Sequence, residues 1–355
     1  MRLQSVLVLG LGRVGALAAE LLAEGGFQVT GADVRPGPSL NGVRRVCVEV
    51  ADASALGDLM EGFDAVLSCL PYFLNMSVAR LAHEKGLHYF DLTEDVPTTT
   101  YIRRLADGHD RVMAPQCGLA PGFIGIVGAH LASGFETIRS VRLRVGALPQ
   151  NPTGLLGYAF NWSPEGVVNE YLNDCEVIEE GILKSVSAME WLETVYIDGV
   201  KLEAFTTSGG LGTMCETFLG RVDNLDYKTM RYPGHVQLMN FFFHELLMRE
   251  RRDLAGEILA NAKPPVEDDV VYVHAAAEGQ AEGRLSRREF VRAYRPRHLA
   301  GRMRTAIAWT TSAAAAAVIE LTAAGRLGSG GFLKQEDIPF DTFAQTRTGS
   351  LFLSS

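Results

Sequence analysis

The sequence predicts an α/β protein in which a doubly wound parallel sheet is followed by a second α+β domain. Over the first 121 residues, short apolar runs of strand length alternate with segments of helix length, the pattern of strand–helix–strand units around a parallel sheet. A G-x-G-x-x-G turn joins the first of these runs to the first helix. The chain has 355 residues, which is longer than one domain usually requires.

The first domain is predicted from its apolar runs and from the turns between them. The SVLVL segment at residues 5–9 is apolar throughout and too short for a helix, so it suits a strand that is buried on both faces. The helix that follows is expected to stop at Gly25 and Gly26. The predicted strands are 5–9, 28–32, 45–50, 65–68, 88–92 and 111–114, and the predicted helices are 16–24, 53–61 and 74–85.

The second domain is predicted to begin at about residue 122, where a helix and then longer strands replace the regular alternation. An Ala-rich helix from 302 to 324 is expected to pack back on the first domain. The predicted elements between them are strands at 140–146 and 195–197, an irregular stretch near 149–164 and a hairpin of 269–277 with 288–294. The predicted domains are residues 1–121, completed by 302–355, and residues 122–301.

Composition and charge favour a small molecule as the partner. Hydrophobic residues make up 47% of the chain and charged residues 21%, as in an ordinary globular protein. The net charge of -9 has no long block of one sign, which argues against nucleic acid and anionic membranes as partners. Between Arg304 and Glu320 lie 15 uncharged residues, fewer than the roughly 20 apolar residues of a membrane span.

Cysteine and histidine spacing gives two further expectations. The five cysteines lack C-x-x-C spacing, and the first residues lead directly into a strand. A reducing, cytoplasmic location is therefore predicted. The eight histidines show no spacing typical of metal ligands, so no metal site is predicted.

The glycine-rich turn predicts a Rossmann-type site for a dinucleotide. Gly10 allows the tight turn, Gly12 lets the backbone approach a pyrophosphate, and Gly15 allows the helix to pack closely on the strand. Amide groups at the start of the helix would then face the phosphates. The predicted phosphate loop comprises Gly10, Gly12, Arg13, Val14 and Gly15.

An acidic residue at the end of the second strand predicts NAD as the cofactor. Asp33 lies where a carboxylate can accept hydrogen bonds from both ribose hydroxyls of NAD and repel the additional phosphate of NADP. Val34 and Arg35 follow it, and the Arg35 guanidinium could instead stack on adenine or pair with a 2′-phosphate. NADP is therefore the alternative cofactor. Asp52, after the third strand, either faces the adenine amino group or is a surface turn residue.

The segment after the fourth strand is expected to border the nicotinamide ribose. In open parallel sheets, ligands bind at the carboxyl ends of the strands. Cys69, Leu70 and Pro71 occupy that place after strand 65–68.

Eight motifs spread over nearly the whole chain resemble the saccharopine dehydrogenase family. The glycine loop is common to many unrelated enzymes, whereas the later motifs are specific. The motifs are GLGRVG at 10–15, SCLPY at 68–72, HYFDLTED at 88–95, GLAPGFIG at 118–125, GYAFNWSPEGVVNEY at 157–171, EAFTTSGGLGTM at 203–214, YKTMRYPGH at 227–235 and GFLKQEDIPF at 331–340.

The resemblance implies a Rossmann domain completed by the C-terminus and an inserted domain with a large mixed sheet. It also implies an NAD(P)-dependent oxidoreductase that acts on the carbon–nitrogen bond of an amino acid, of the L-lysine 6-dehydrogenase or saccharopine dehydrogenase type. Ala120 in the turn at 118–122 is more similar to the lysine 6-dehydrogenases. A carboxynorspermidine-type dehydrogenase and a non-catalytic NAD-binding regulator are the alternatives.

The resemblance also points to the residues that would meet the substrate. Arg231 resembles the family's arginine for the substrate carboxylate, a role that suits a planar guanidinium; an internal ion pair is the alternative. His235, four residues on, would share a face with it in a helix and could accept the amine proton; a structural histidine bonded to a backbone carbonyl is the alternative. Ser208 and Gly209 form either a turn between strands or a loop that offers amides to a carboxylate. Trp162 would wall the substrate pocket or lie in the core.

Two residues after the fourth and fifth strands are expected beside the nicotinamide and the reacting bond. Tyr72 could bind the amine or the carboxylate, and Asp91 could hold the ammonium or act as the base. The assignment to Asp91 stays open because three further polar residues share its loop, namely Thr93, Glu94 and Asp95. Finally, the apolar run at 239–248 (MNFFFHELLM) offers aromatic surface, and a homodimer is predicted from it. Burial of this run inside the second domain is the alternative.

Overall fold

The computed structural model describes residues 3–353 of the chain. They divide into two compact units. The first unit comprises residues 3–126, 298–302 and 308–353, and the second comprises residues 127–297 and 303–307.

The first half of the chain alternates strands and helices from the start, as its apolar runs require. The elements are β1 (Ser5–Leu9), α1 (Arg13–Glu24), β2 (Gln28–Asp33), β3 (Val43–Cys47), α2 (Ala53–Met60), β4 (Ala65–Ser68), α3 (Tyr72–Lys85), β5 (His88–Asp91), α4 (Val96–Ala106), β6 (Val112–Ala114) and α5 (Phe123–Ala132). Helix α4 was not predicted from the sequence. Asp95 caps its N-terminus by accepting a hydrogen bond from the Thr98 amide.

The remaining elements follow in chain order. They are β7 (Thr137–Pro149), α6 (Pro164–Leu172), β8 (Cys175–Glu179), β9 (Ile182–Val186), β10 (Glu193–Ile197), β11 (Val200–Thr206), α7 (Met214–Phe218), β12 (Val222–Arg231), α8 (His235–Asn240), α9 (Arg252–Ala262), β13 (Asp269–Ala281), β14 (Arg284–Tyr294), β15 (Arg297–Leu299), β16 (Arg302–Arg304), α10 (Ala306–Ala323), β17 (Gly331–Phe332) and α11 (Phe340–Ala344). A π-helical turn spans Phe241–Glu245, and 3-10 turns span Met248–Glu250, Gln335–Asp337 and Gly349–Phe352.

The first unit is built on a seven-stranded parallel sheet in the order β17-β6-β5-β4-β1-β2-β3. The strand order reverses direction between β1 and β4, which is the point where ligands bind in doubly wound sheets. Strand β17, from near the C-terminus, pairs with β6. The predicted doubly wound parallel sheet is confirmed.

The second unit contains a mixed sheet, which confirms the predicted α+β character. Its main path is β10-β11-β12-β7-β13-β14, and β8 joins β12 to β9. Strands β7 and β12 pair in parallel, and the other neighbours pair antiparallel. The predicted hairpin is present as β13 and β14.

Helix α5 explains why the units change over after residue 126, whereas the sequence placed the boundary at residue 121. Its first residue, Phe123, stacks on Phe352 with the ring centroids 4.0 Å apart. Its later residue Gly128 is packed so closely that a Cβ would lie 2.8 Å from the Leu143 side chain. The start of this helix therefore belongs to the first unit, and its later residues, from 127 on, belong to the second.

Helix α10 is the Ala-rich segment, and it begins four residues later than predicted. Among the described helices it alone is long and apolar enough to cross a membrane. Buried residues make up 72% of it, which is the pattern of a core helix. Inside the first unit, the Ser312 hydroxyl donates a 2.8 Å hydrogen bond to the Val14 carbonyl beside the glycine turn.

Candidate active site

The three glycines of the phosphate loop differ in why they must be glycine. Gly10 has a φ of +82°, and a Cβ there would lie 2.8 Å from the Cys69 carbonyl oxygen. A Cβ on Gly15 would lie 1.9 Å from the Gly10 carbonyl oxygen, so this glycine permits the helix to pack on the turn. Gly12 has a φ of -70° and no atom within 4 Å of a Cβ. Nothing in the protein itself requires glycine at position 12, and the open space at this helix N-terminus fits a pyrophosphate.

Asp33 ends β2 and fixes the shape of this loop. One carboxylate oxygen accepts a 2.8 Å hydrogen bond from the Leu11 amide, and the other accepts a 2.9 Å hydrogen bond from the Arg35 amide. Partial burial raises the pKa of Asp33, but the hydrogen bonds from the two amides and the nearby arginine charges together lower it by more than burial raises it. The pKa of Asp33 therefore lies below its usual value. Asp33 is therefore ionised at neutral pH. Arg35 and Arg45 lie close enough to contribute to that shift.

The other residues predicted to bind the cofactor have separate positions around this edge. Arg13 is the first residue of α1, and Val34 is 51% exposed after β2. Asp52 caps α2 by accepting hydrogen bonds from the amides of Ser54 and Ala55, which favours the structural alternative for this residue.

The turn after β4 lies against the glycine loop. Cys69, Leu70 and Pro71 lead from β4 to α3, and the Cys69 amide bonds to the Leu9 carbonyl. Burial raises the pKa of the Cys69 thiol to about 12, so the thiol stays protonated. Tyr72 is the first residue of α3 and is half-buried, with its ring 5.8 Å from that of Phe73.

Asp91 at the end of β5 is fully buried and holds loops together. Its carboxylate accepts hydrogen bonds from the Tyr89 hydroxyl at 2.7 Å, the Thr93 amide at 2.9 Å and the Gln116 amide at 3.0 Å. Burial raises its pKa to about 6. With no exposed surface and three internal donors, this carboxylate is poorly placed to meet a substrate ammonium.

Glu94 stands out among the polar residues that share the Asp91 loop. Asp95 caps α4, whereas the Glu94 carboxylate is bonded by its own backbone amide. Glu94 is half-buried, and burial, together with the carboxylates of Asp95 and Asp91, raises its pKa to about 7. A titrating carboxyl at the carboxyl end of a Rossmann strand is suited to proton transfer near neutral pH.

Arg231, the last residue of β12, is a buried guanidinium that forms no ion pair with another residue in the described part of the chain. It is 3% exposed, and it takes part in none of the ion pairs within residues 3–353. Buried Arg144, by contrast, is paired with both Glu193 and Asp226. Glu170 acts on Arg231 electrostatically, but the alternative of an internal ion pair is not what the structure contains. An unpaired buried charge is costly, which favours an anionic ligand here.

Tyr171 of α6 connects Arg231 to His235. The Arg231 Nε–H donates a 2.8 Å hydrogen bond to the Tyr171 hydroxyl, which lies 3.0 Å from the His235 Nε2. The His235 Nδ1 lies 3.0 Å from the Leu156 carbonyl oxygen. A carbonyl only accepts, so Nδ1 carries the hydrogen and Nε2 accepts from the tyrosine. Sequence reasoning missed Tyr171, which is 60 residues from Arg231 along the chain.

The environment of His235 favours the structural alternative for this residue. It is 1% exposed, and both ring nitrogens are hydrogen bonded. Burial and the nearby Arg231 guanidinium lower its pKa to about 3. The expected helical spacing of the pair is wrong: Arg231 ends a strand, Gly234 turns with a φ of +94°, and His235 begins α8.

The remaining predicted substrate residues lie in the second unit at different distances from this cluster. The Ser208 amide donates to the Glu170 carbonyl at 3.0 Å, so it is not available to a carboxylate. Gly209, with a φ of +84°, lies in the loop between β11 and α7 and so is not a turn between strands. The Trp162 Nε1–H donates a 3.2 Å hydrogen bond to the Tyr158 hydroxyl. Tyr158 in turn lies under Arg231.

Within the described part of the chain, no group of three or more His, Cys, Asp or Glu residues could hold a metal ion.

Comparison with protein families gives two matches. The saccharopine dehydrogenase NADP binding domain matches residues 6–111, and the saccharopine dehydrogenase C-terminal domain matches residues 118–347. This chain belongs to the saccharopine dehydrogenase family. Its first unit is a pyridine-nucleotide-binding domain, in keeping with the space at Gly12.

Two relatives share low sequence identity with this chain. A saccharopine dehydrogenase [NADP(+), L-glutamate-forming] of Pyricularia oryzae is 24% identical over 257 residues, which are 67% of this chain and 57% of that protein. The mitochondrial alpha-aminoadipic semialdehyde synthase of Mus musculus is 24% identical over 67% of this chain and 28% of its own length. The chain therefore spans between about a quarter and three fifths of these relatives.

Solved structures show the same fold at low sequence identity. Apo saccharopine dehydrogenase (L-Glu forming) from Saccharomyces cerevisiae superposes with a TM-score of 0.73 at 16% identity, over 96% of both chains. A C. glutamicum DAP dehydrogenase in complex with DAP superposes with a TM-score of 0.51 at 10% identity, over 100% of both chains. The family architecture of a Rossmann domain with a second, mixed-sheet domain is confirmed.

Proposed function

We propose that this protein is an NAD-dependent oxidoreductase that oxidises the carbon–nitrogen bond of an amino acid whose carboxylate is held by Arg231. Hydride leaves the carbon, a proton leaves the amine, and a carbon–nitrogen double bond forms that water can open. Nicotinamide, when bound, supplies the hydride acceptor. The residues of the chain bind the substrate and handle the proton.

The observation that carries this proposal is the buried, unpaired guanidinium of Arg231. A carboxylate would complete the charge pair that the fold itself leaves incomplete. Guanidinium and carboxylate form parallel, charge-assisted hydrogen bonds. The family membership and the amino-acid dehydrogenase names of the relatives support the same reaction class.

Glu94 is proposed as the proton acceptor in place of Asp91 and His235. Asp91 is occupied by three internal donors, and the Nε2 of His235 already accepts from Tyr171. Glu94 has a pKa of about 7 and a carboxylate that no other residue's hydrogen bond occupies within residues 3–353. A base with this pKa is half ionised at neutral pH, which is close to optimal for proton transfer.

We further propose L-lysine as the substrate, with saccharopine as the alternative. Saccharopine has three carboxylates and needs several cationic anchors, whereas lysine has one carboxylate and needs one anchor. Arg231 provides one buried anchor in the second unit, which supports the smaller substrate. Oxidation at the side-chain end of lysine would leave the carboxylate free to stay on Arg231.

NAD is proposed over NADP because the ionised Asp33 carboxylate lies at the end of β2. An anion there opposes the 2′-phosphate of NADP. Two features favour NADP: the guanidinium groups of Arg35 and Arg45 near Asp33, and the name of the matching family domain.

The proposed function is tested with a panel of amino acids and amines offered with NAD and with NADP. Formation of the reduced nicotinamide absorbance band is followed, and the Gly12→Val variant serves as the cofactor-binding control. We expect wild type to reduce NAD with L-lysine or a close analogue and the variant to be inactive. Tight cofactor binding by wild type without turnover of any amino acid would instead identify a non-catalytic binding protein.

A further inference from the structure

The hydrogen bonds around Arg231 leave only one of its edges open. A guanidinium has five N–H groups in a fixed fork. The Nε–H donates to the Tyr171 hydroxyl, and one Nη1–H donates to the Met230 carbonyl at 2.9 Å. The side-on approach through Nε is therefore blocked. The N–H groups left for a ligand lie along the Nη1–Nη2 edge.

Aromatic rings hold this guanidinium in place. Its Cζ lies 4.6 Å from the centroid of the Tyr158 ring, within the range of a cation–π contact. The centroid of the Tyr158 ring lies 5.3 Å from that of the His235 ring, and the Tyr158 hydroxyl accepts a hydrogen bond from the Trp162 Nε1–H. On another side, the His235 ring stacks on Phe205 with the ring planes 14° apart. The ring frame resists rotation of the arginine side chain.

The direction of the hydrogen bonds makes His235 the determinant of this arrangement. Because the Leu156 carbonyl fixes the hydrogen on Nδ1, Nε2 must accept, and the Tyr171 hydroxyl hydrogen points at His235. The Tyr171 oxygen is then left to accept from Arg231. A proton on Nε2 would turn the tyrosine hydrogen towards the guanidinium, which cannot accept it.

A buried carboxylate fixes His235 from the other side. Glu203 of β11 accepts hydrogen bonds from the amides of Gly234 at 2.8 Å and Val236 at 2.7 Å. These two amides flank His235 at the start of α8. The backbone that carries the imidazole is therefore anchored independently of its ring.

We propose that Tyr171 and His235 are positioning residues that present the Nη1–Nη2 edge of Arg231 to the substrate carboxylate. This inference rests on the proposed function of Arg231. It gives His235 the task of orienting a donor through Tyr171, and the histidine itself transfers no proton.

Three single variants and one double variant separate positioning from proton transfer. Tyr171→Phe and His235→Leu each interrupt the hydrogen bonds that connect His235 through Tyr171 to Arg231. Each should therefore raise KM for the amino acid by roughly 10- to 100-fold, with the pH profile of kcat unchanged. Glutamine at 235 offers a carbonyl to the Tyr171 hydroxyl, so His235→Gln should restore KM to within about threefold of wild type. Because both residues act through the same series of hydrogen bonds, the double variant Tyr171→Phe/His235→Leu should raise KM little more than either single variant does. Tyr196→Phe, at an exposed tyrosine of β10, is the matched control.

The proposal would be overturned, and His235 would be the base, if both His235→Gln and His235→Leu lost kcat and also lost the decline of kcat at low pH. A second measurement needs no substrate. The ¹⁵N spectrum of the imidazoles at pH 7, assigned against His235→Gln, should show His235 neutral with its hydrogen on Nδ1. Hydrogen on Nε2, or an imidazolium, would overturn the proposal. Failure of the proposed function alone would leave that spectrum as expected, so the two failures are distinguishable.

Discussion

The carboxylate of Asp33 accepts a 2.8 Å hydrogen bond from the amide of Leu11, and so ties the end of β2 to the phosphate loop. The residue that is proposed to select the cofactor therefore also shapes the loop that would hold it. A useful substitution must remove the charge and keep the acceptor.

Asp33→Asn removes the charge and keeps one side-chain oxygen that can accept from the Leu11 amide, whereas the hydrogen bond from the Arg35 amide is lost. We expect the ratio of kcat/KM for NAD to that for NADP to fall by roughly 10- to 100-fold, the effect of a lost charge-assisted contact. Asp52→Asn keeps the helix cap and should leave the ratio unchanged. A wild-type preference for NADP would show that Arg35 and Arg45 outweigh Asp33.

Gly12→Val tests the phosphate loop. A Cβ at this position has no protein atom within 4 Å, so the melting temperature should change by only a few degrees, while NAD binding measured by calorimetry is lost. Gly15→Val is the contrasting variant, because its Cβ would collide with the Gly10 carbonyl. It should destabilise the fold by ~1–3 kcal/mol or more. Normal NAD affinity in Gly12→Val would contradict the loop assignment.

Glu94→Gln tests the proposed base through the pH profile. The carboxylate must be ionised to accept a proton, and its pKa is about 7. The kcat of wild type should therefore decline as the pH falls below about 7. In Glu94→Gln, kcat should drop by ~10²–10⁴ and this acidic limb should disappear.

The control for the base is Asp95→Asn, which retains the cap of α4 and should keep both kcat and the limb. An unchanged limb in Glu94→Gln would place the base elsewhere, with Asp91 the first residue to substitute.

The apolar run at 239–248 predicts a homodimer, although only part of the run is exposed in the structure. Met239 and Phe243 are buried in the second unit, whereas Phe241, Leu246 and Leu247 are about half exposed. Light scattering at micromolar concentration should give the mass of two chains, and Leu246→Ser/Leu247→Ser should shift it towards one. A monomeric wild type would contradict this prediction.

Local patterns in the sequence were sufficient for most of the first unit, although helix α4 (Val96–Ala106) was missed. Strand Ser5–Leu9 has the predicted bounds, because an uninterrupted apolar run before a glycine turn has one compact solution. The interpretation of Arg231 and His235 as helical neighbours was wrong because Pro233 and Gly234 lie between them. These two residues are a turn signal, which overrides helical periodicity.

Long-range contacts could not be predicted in the same way. Tyr171 meets Arg231 only through the packing of α6 on the mixed sheet, and the Leu156 carbonyl that fixes the His235 tautomer lies 79 residues from it along the chain. The burial that raises the pKa of Glu94 also arises from tertiary packing, so residue type alone did not separate Glu94 from Asp91.

Recognition of the substrate carboxylate by Arg231 is tested by comparing two substrates that differ only in that carboxylate. The kcat/KM of the best amino acid in the panel is divided by that of the amine lacking its carboxylate, for wild type, Arg231→Lys and the exposed control Arg284→Lys. Lysine loses the fork of parallel donors, at a cost of ~1.5–3 kcal/mol. We predict that the ratio falls by roughly 10- to 150-fold in Arg231→Lys alone, with the Kd for NAD unchanged. An unchanged ratio would show that Arg231 does not bind the substrate carboxylate.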